Sequence, residues 1–162
     1  MSGDYRDCAG AIVFNRKGEV LLGNRIDTDE DAWQFPQGGI ERGETPLEAA
    51  LRELFEEMSV ESVKPVAVDD KPYRYDFPKE ICSRFEKRGI KSLGQDIYFS
   101  LLYYCGKESE INVQTASPEF SEYKWDSFDF AVQQIVSFKK DIYVSAYQRF
   151  IPLIKQYINE HS

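Results

Sequence analysis

Residues 38–60, GGIERGETPLEAALRELFEEMSV, restrict what this chain can become more than any other stretch, because a glycine turn leads straight into a helix crowded with carboxylates. Thr45 is a natural N-cap, Pro46 suits the first helical position, and Glu48 stands where a capping box needs it. Leu47, Ala50, Leu51, Leu54 and Met58 recur at helical spacing as one apolar stripe. At about 100° per residue, Glu53, Glu56 and Glu57 gather on a different face. Glu53 and Glu57 form an i,i+4 like-charge pair, which disfavours an isolated helix by roughly 0.2–0.5 kcal/mol. Such a face is either solvated or gathered around a cation.

The surroundings favour the cation. Gly38 and Gly39 let the backbone approach a ligand closely, Glu44 adds a carboxylate ahead of the helix, and Arg52 is placed to orient the acids. Oxygen ligands without histidine or thiolate suit magnesium or manganese rather than zinc.

This stretch resembles the Nudix box, G-x5-E-x7-R-E-U-x-E-E-x-G-U with U aliphatic. Gly38, Glu44, Arg52, Glu53, Leu54, Glu56, Glu57 and Val60 match it, and Ser59 replaces the last glycine, which normally ends the helix.

The 162 residues are enough for one domain with a proper core, expected to span residues 1–162. There is no apolar run of membrane-spanning length and no leader pattern, so a cytoplasmic protein with no membrane partner is expected. Cys8, Cys82 and Cys105 fit neither a zinc pattern nor a disulfide framework. With His161 the only histidine, hydrolytic chemistry falls to carboxylates, a metal ion, lysine or tyrosine. A net charge of −8 argues against broad binding to long nucleic acids, double-stranded DNA included. It leaves room for a nucleotide or a short 5′ end of RNA. A monomer or weak dimer is expected.

Along the chain, residues 7–15 and 19–24 read as a strand hairpin around the turn at 16–19. Residues 25–31 form a polar loop, and 33–37 a short strand with Trp33 and Phe35 on one side as packing residues. Residues 63–68 are a strand. Residues 71–91 carry more bases than acids, together with Tyr73, Tyr75, Phe77 and Phe85. That suits a polyphosphate pocket beside an acidic site, and equally an ordinary surface loop. Residues 96–105 make the clearest long strand, read as central, and 111–117 a loop or edge strand. A short strand at 123–125 precedes a helix capped by Asp126 or Ser127. A final amphipathic helix runs from Ile142 to Ile158, with Pro152 placed to kink it. This pattern predicts an α/β protein with a mixed sheet covered on both sides, and the resemblance implies the α/β/α sandwich of Nudix hydrolases.

Outside the box, the runs from Trp33 to Ile40, Tyr75 to Pro78, Pro118 to Phe120 and Val136 to Tyr143 resemble one branch of that family. It contains the bacterial RNA 5′ pyrophosphohydrolases and the plant-type asymmetric diadenosine tetraphosphate hydrolases. Carried over by position, the resemblance implies that Gly38 (through its carbonyl), Glu53, Glu56, Glu57 and Glu119 bind magnesium. It implies that Glu56, Glu57 or Glu119 is the general base and that Arg52 steadies the carboxylates. Arg6, Arg25, Gly39, Tyr75, Gln95, Phe138, Lys139 and Lys140 are implied on the substrate side, Phe138 stacking a base and the lysines meeting phosphates. Two departures touch that side: Gly94-Gln95-Asp96-Ile97 where the branch has Gly-Gln-x-Gln, and Arg6-Asp7-Cys8 where it has Arg-Pro-Asn. The implied reaction is metal-assisted hydrolysis of a phosphoanhydride, in diadenosine tetraphosphate or at a 5′-triphosphate RNA end. A nucleotide-binding module without turnover is the alternative from another class.

Overall fold

The computed structural model describes residues 5–28, 30–87, 89 and 92–161. The strands are β1 (Tyr5–Phe14), β2 (Val20–Arg25), β3 (Trp33–Gln34), β4 (Gln37–Gly39), β5 (Val63–Val68), β6 (Tyr73–Asp76), β7 (Gly94–Tyr104) and β8 (Phe120–Asp126). The helices are α1 (Pro46–Met58), α2 (Lys79–Lys87), α3 (Phe128–Gln134) and α4 (Lys140–Glu160).

All the strands belong to one mixed sheet. Its spine is the parallel pair β1 and β7, in register from Tyr5 opposite Gly94 to Phe14 opposite Tyr103. On the far side of β7, β5 and β6 pair antiparallel with its two ends. β2 and β4 both pair antiparallel with β1, and β2 carries β3 and β8 beyond it.

Strand alternation splits the core in two. Ala9, Ala11 and Val13 of β1 face the stripe Ala50, Leu54 and Met58 of α1, together with Leu102 and Tyr104. Cys8, Ile12 and Phe14 face the other way, into a core with Phe99, Phe128, Tyr143, Phe150 and Ile154 of β7, α3 and α4. Trp33 and Phe35 are buried in this second core, as the packing reading expects. A Cβ on Gly10 would fall 2.7 Å from the Phe99 ring, so the glycine is what lets that ring lie across β1.

Local chemistry sets the ends of α1. Glu48 N–H donates to Thr45 Oγ1 at 3.1 Å, and Thr45 N–H donates to Glu48 Oε1 at 2.9 Å. At the other end Ser59 takes the left-handed conformation itself, φ 62°, its N–H donating to Phe55 O and its hydroxyl to Asn112 O at 3.0 Å. The missing glycine therefore leaves the helix stop in place.

Two sequence expectations are revised. Residues 71–91 are not a plain loop: they form β6 and α2, residues 88, 90 and 91 and the Phe85 side chain lying outside the described residues. The strand expected at 123–125 begins at Phe120, because Phe120 packs against Gly23 of β2, where a Cβ would meet its ring at 2.4 Å. α4 continues through Pro152 as one helix. Among the described residues no helix is long and apolar enough to cross a membrane.

Candidate active site

Glu53 and Glu57 of α1 open onto a cavity of about 450 Å³. β4 lays its glycines against β1, with Gly38 opposite Ala9 and Gly39 opposite Cys8. A Cβ on Gly38 would fall 2.1 Å from Glu53 Cδ, so the Glu53 carboxylate rests on bare backbone. On Gly39 it would meet Arg6 Nη2 at 2.5 Å.

Behind this wall Arg52 binds several segments at once. Its Nε and Nη2 donate to the two Glu44 oxygens at 2.7 and 3.0 Å, and Nη2 also donates to Gly39 O at 2.9 Å. Its Nη1 donates to Glu53 Oε1 at 2.8 Å and Glu56 Oε2 at 3.2 Å. This pairing holds the Glu44 carboxyl below its usual range.

Glu57 is buried at 6% exposure, and its Oε2 has no hydrogen-bond partner. Burial, reinforced by the charges of Glu53 and Glu119, pushes its carboxyl up to about 9. Burial also raises Glu53, against the opposing pull of Arg52. Glu119, at the head of β8, lines the cavity beside them. Exposed Glu56 does not; it lines an adjoining cavity of about 540 Å³ that shares Glu53, Glu57 and Glu119.

The same cavity is also lined by the cations Arg6, Arg25 and Lys139 and by the rings of Tyr75, Phe77 and Phe138. Phe138 lies 5.9 Å from the Tyr75 ring centroid and 6.3 Å from that of Phe77. The Tyr75 hydroxyl donates to Gln95 Oε1. Lys139 sits in the 3-10 turn Ser137–Lys139 before α4, 5% exposed, its Nζ 5.5 Å from the Tyr75 ring centroid. Burial, and then the nearby charge of Arg25, pushes its ammonium down to about 8.

The structure thus brings together Arg6, Arg25, Gly38, Gly39, Glu53, Glu57, Tyr75, Gln95, Glu119, Phe138 and Lys139. Lys140 begins α4, exposed and outside the cavity lining, because one helical step turns it about 100° from Lys139. Gln34, Gln37, Cys8 and Ile81 also line the cavity and were not singled out for the site. The first two lie within the Trp33 to Ile40 run and Cys8 at a noted departure, whereas Ile81 lies on the unexpected helix α2. At the other departure Ile97, standing where the branch has its second Gln, is buried in the second core, and Asp96 beside it takes two hydrogen bonds from Arg74, at 2.8 and 3.0 Å.

Among the described residues no three acidic, histidine or cysteine side chains stand as a finished cage for an ion. The donor set nevertheless fits one: carboxylates crowd together, Glu57 is buried with an orphaned oxygen, and Gly38 brings backbone alongside. Burial pushes the Cys8 thiol up to about 11, so it stays protonated and offers no competing thiolate. Hard oxygen donors of this kind suit magnesium or manganese.

The NUDIX domain model matches residues 4–146, and the chain belongs to that family of hydrolases. Within it the chain falls in the RNA pyrophosphohydrolase branch. An RNA pyrophosphohydrolase of Roseobacter denitrificans is 40% identical over 148 residues, covering 90% of this chain and 91% of that protein. One from Wolbachia pipientis subsp. Culex pipiens is 37% identical over 156 residues, covering 94% and 93%. The fold is shared with the E. coli dihydroneopterin triphosphate pyrophosphohydrolase, with a TM-score of 0.62, 20% identity and coverage of 96% and 98%. A C. elegans Ap4A hydrolase shares it too, with a TM-score of 0.59, 18% identity and coverage of 89% and 98%.

Proposed function

We propose that this protein is a magnesium-dependent pyrophosphohydrolase acting on 5′-triphosphate RNA ends. The observation that carries this reading is the make-up of the cavity, which brings buried Glu57 with Glu53 and Glu119 together with Arg6, Arg25 and Lys139 and the rings of Tyr75, Phe77 and Phe138. The relatives named RNA pyrophosphohydrolase support RNA as the carrier of the phosphates.

Glu53, Glu56, Glu57, Glu119 and the Gly38 carbonyl would hold magnesium, which when bound supplies Lewis-acid activation and charge neutralisation. Arg6, Arg25 and Lys139 grip the phosphate oxygens and neutralise their charge. Phe138, with Tyr75 and Phe77 against it, offers a face for the first base. Glu57 or Glu119 takes the proton of the attacking water, since Glu56 lies off the main cavity. Arg52, its donors spent on Glu44, Glu53, Glu56 and Gly39, positions these carboxylates and does not touch substrate.

A second reading is cleavage of diadenosine tetraphosphate to ATP and AMP. The net charge of −8 favours it, because a compact dinucleotide meets less of the acidic surface than an RNA chain does. Rates on the two substrates at equal concentration with magnesium, products weighed after reaction in heavy-oxygen water, decide between them. Faster pyrophosphate release from RNA is expected. Faster ATP and AMP production would reverse the assignment, and no cleavage of either would remove both.

A further inference from the structure

Arg25 lines the cavity, yet a carboxylate already holds it. Its Nε donates to Asp27 Oδ1 at 3.0 Å and its Nη2 to Asp27 Oδ2 at 2.5 Å, a parallel two-bond pair. The pair stands at the rim, the Arg25 side chain 32% exposed and that of Asp27 58%. Asp27 is also among the charges acting on Lys139, so it lies close to two of the cavity's cations.

The fold fixes this arrangement. The register of β2 against β8 shifts between Asn24 and Arg25. Arg25 N–H donates to Ala32 O and Ile26 N–H to Glu119 O, each at 3.0 Å, tying both ends of the turn to the site. Asn24 Nδ2 donates to Asp31 Oδ1 at 3.1 Å, so Asp31 is held by a neighbouring strand residue while Asp27 is left to Arg25.

We propose that Asp27 is a specificity-determining residue that weakens the capture of polyphosphate by occupying one edge of the Arg25 guanidinium. This rests on the reading of the cavity as a polyphosphate site. An arriving phosphate meets a guanidinium whose charge is half answered, and it gains the Nε–Nη2 edge only by displacing the carboxylate. The displaced Asp27 then stays at the rim as a like charge. Both effects act equally on bound substrate and transition state, so they fall on KM and leave kcat alone.

The test uses the full chain at low ionic strength with a short 5′-triphosphate RNA, comparing wild type, Asp27→Asn, Asp27→Ser, Arg25→Gln and the double variant Arg25→Gln with Asp27→Asn. Because exposed ion pairs are weak, each Asp27 variant is expected to lower KM about threefold to fivefold, with kcat almost unchanged. In the Arg25→Gln background the same change is expected to lower KM by clearly less, since only the like charge at the rim is then removed, a dependence on Arg25 that a general effect on loop folding would not reproduce. Calorimetric binding of inorganic tripolyphosphate should tighten by the same factor. Unchanged or raised KM in an active enzyme, or an equal shift without Arg25, would overturn the role of Asp27. If wild type cleaves neither RNA nor diadenosine tetraphosphate, the functional reading falls. Tripolyphosphate binding then still decides the role of Asp27, tightening supporting it and no change overturning it.

Discussion

Lys139 should cost the fold stability in exchange for its charge, and Lys139→Met should reveal how much. Its ammonium is 5% exposed and pushed down from an ordinary 10.5 to about 8 by burial and Arg25. A shift of that size corresponds to about 3 kcal/mol. The folded pKa is the lower one, so the penalty is full below pH 8, where both folded and unfolded chains carry the charge. It shrinks as pH rises from 8 to 10.5 and is gone above that window. Methionine fills the same space without the charge, so at pH 7 the variant is expected to be more stable by up to about 3 kcal/mol. That is roughly 6–12 °C in melting temperature for a chain of this size. Urea unfolding at pH 7 and at pH 10 is the assay, and the gap between the two proteins should narrow at the higher pH. The same variant should raise KM for a triphosphate substrate. A variant no more stable at pH 7, or a gap that ignores pH, would show that the cavity hydrates Lys139 well and that burial does not strain it.

Glu57→Gln should behave in the opposite sense with pH. A carboxyl raised to about 9 lends stability that is complete below its unfolded value of 4.5 and lost as pH climbs through 9, so metal-free wild type should weaken across that window and the variant should not. Turnover should fall by at least about 100-fold, and magnesium should stabilise wild type but not the variant; retained activity would refute the assigned role. Gly38→Ala should cost comparable activity with little change in the helical circular dichroism signal, because its Cβ would fall 2.1 Å from Glu53 Cδ. At the helix stop, Ser59→Ala should destabilise by about 1 kcal/mol, keeping the left-handed strain while losing the bond to Asn112. Ser59→Gly should be near neutral because it loses both, and equal losses from the two variants in thermal melts would contradict this.

Local chemistry made the centre of the molecule legible. The cap residues and stripe of α1 placed it where it lies, and the Ile-, Tyr-, Phe- and Leu-rich run at 96–105 located the spine strand. Glu119 was different, since from its own neighbours it is one acid in a loop. The pairing of β2 with β8 is what brings it to the cavity, and only the family resemblance pointed there. α2 escaped notice because Lys79–Lys87 is short, with only Ile81, Cys82 and Phe85 apolar among charged residues, although its Ile81 reaches the cavity. Lys139 and Lys140 look equivalent in a string, yet on the helix only Lys139 reaches the cavity lining.

The two cores have a consequence for how the site responds to change. The glutamates ride on α1, seated in one core, while Phe138, Lys139 and Tyr75 are set by the other. β1 and β7 lie between as a shared plate, each sending side chains to both faces. The cavity therefore draws its lining from both cores at once. A methyl group removed from either core, far from any ligand, shifts one set of lining residues against the other, so the site inherits its precision from the stiffness of β1 and β7 between them.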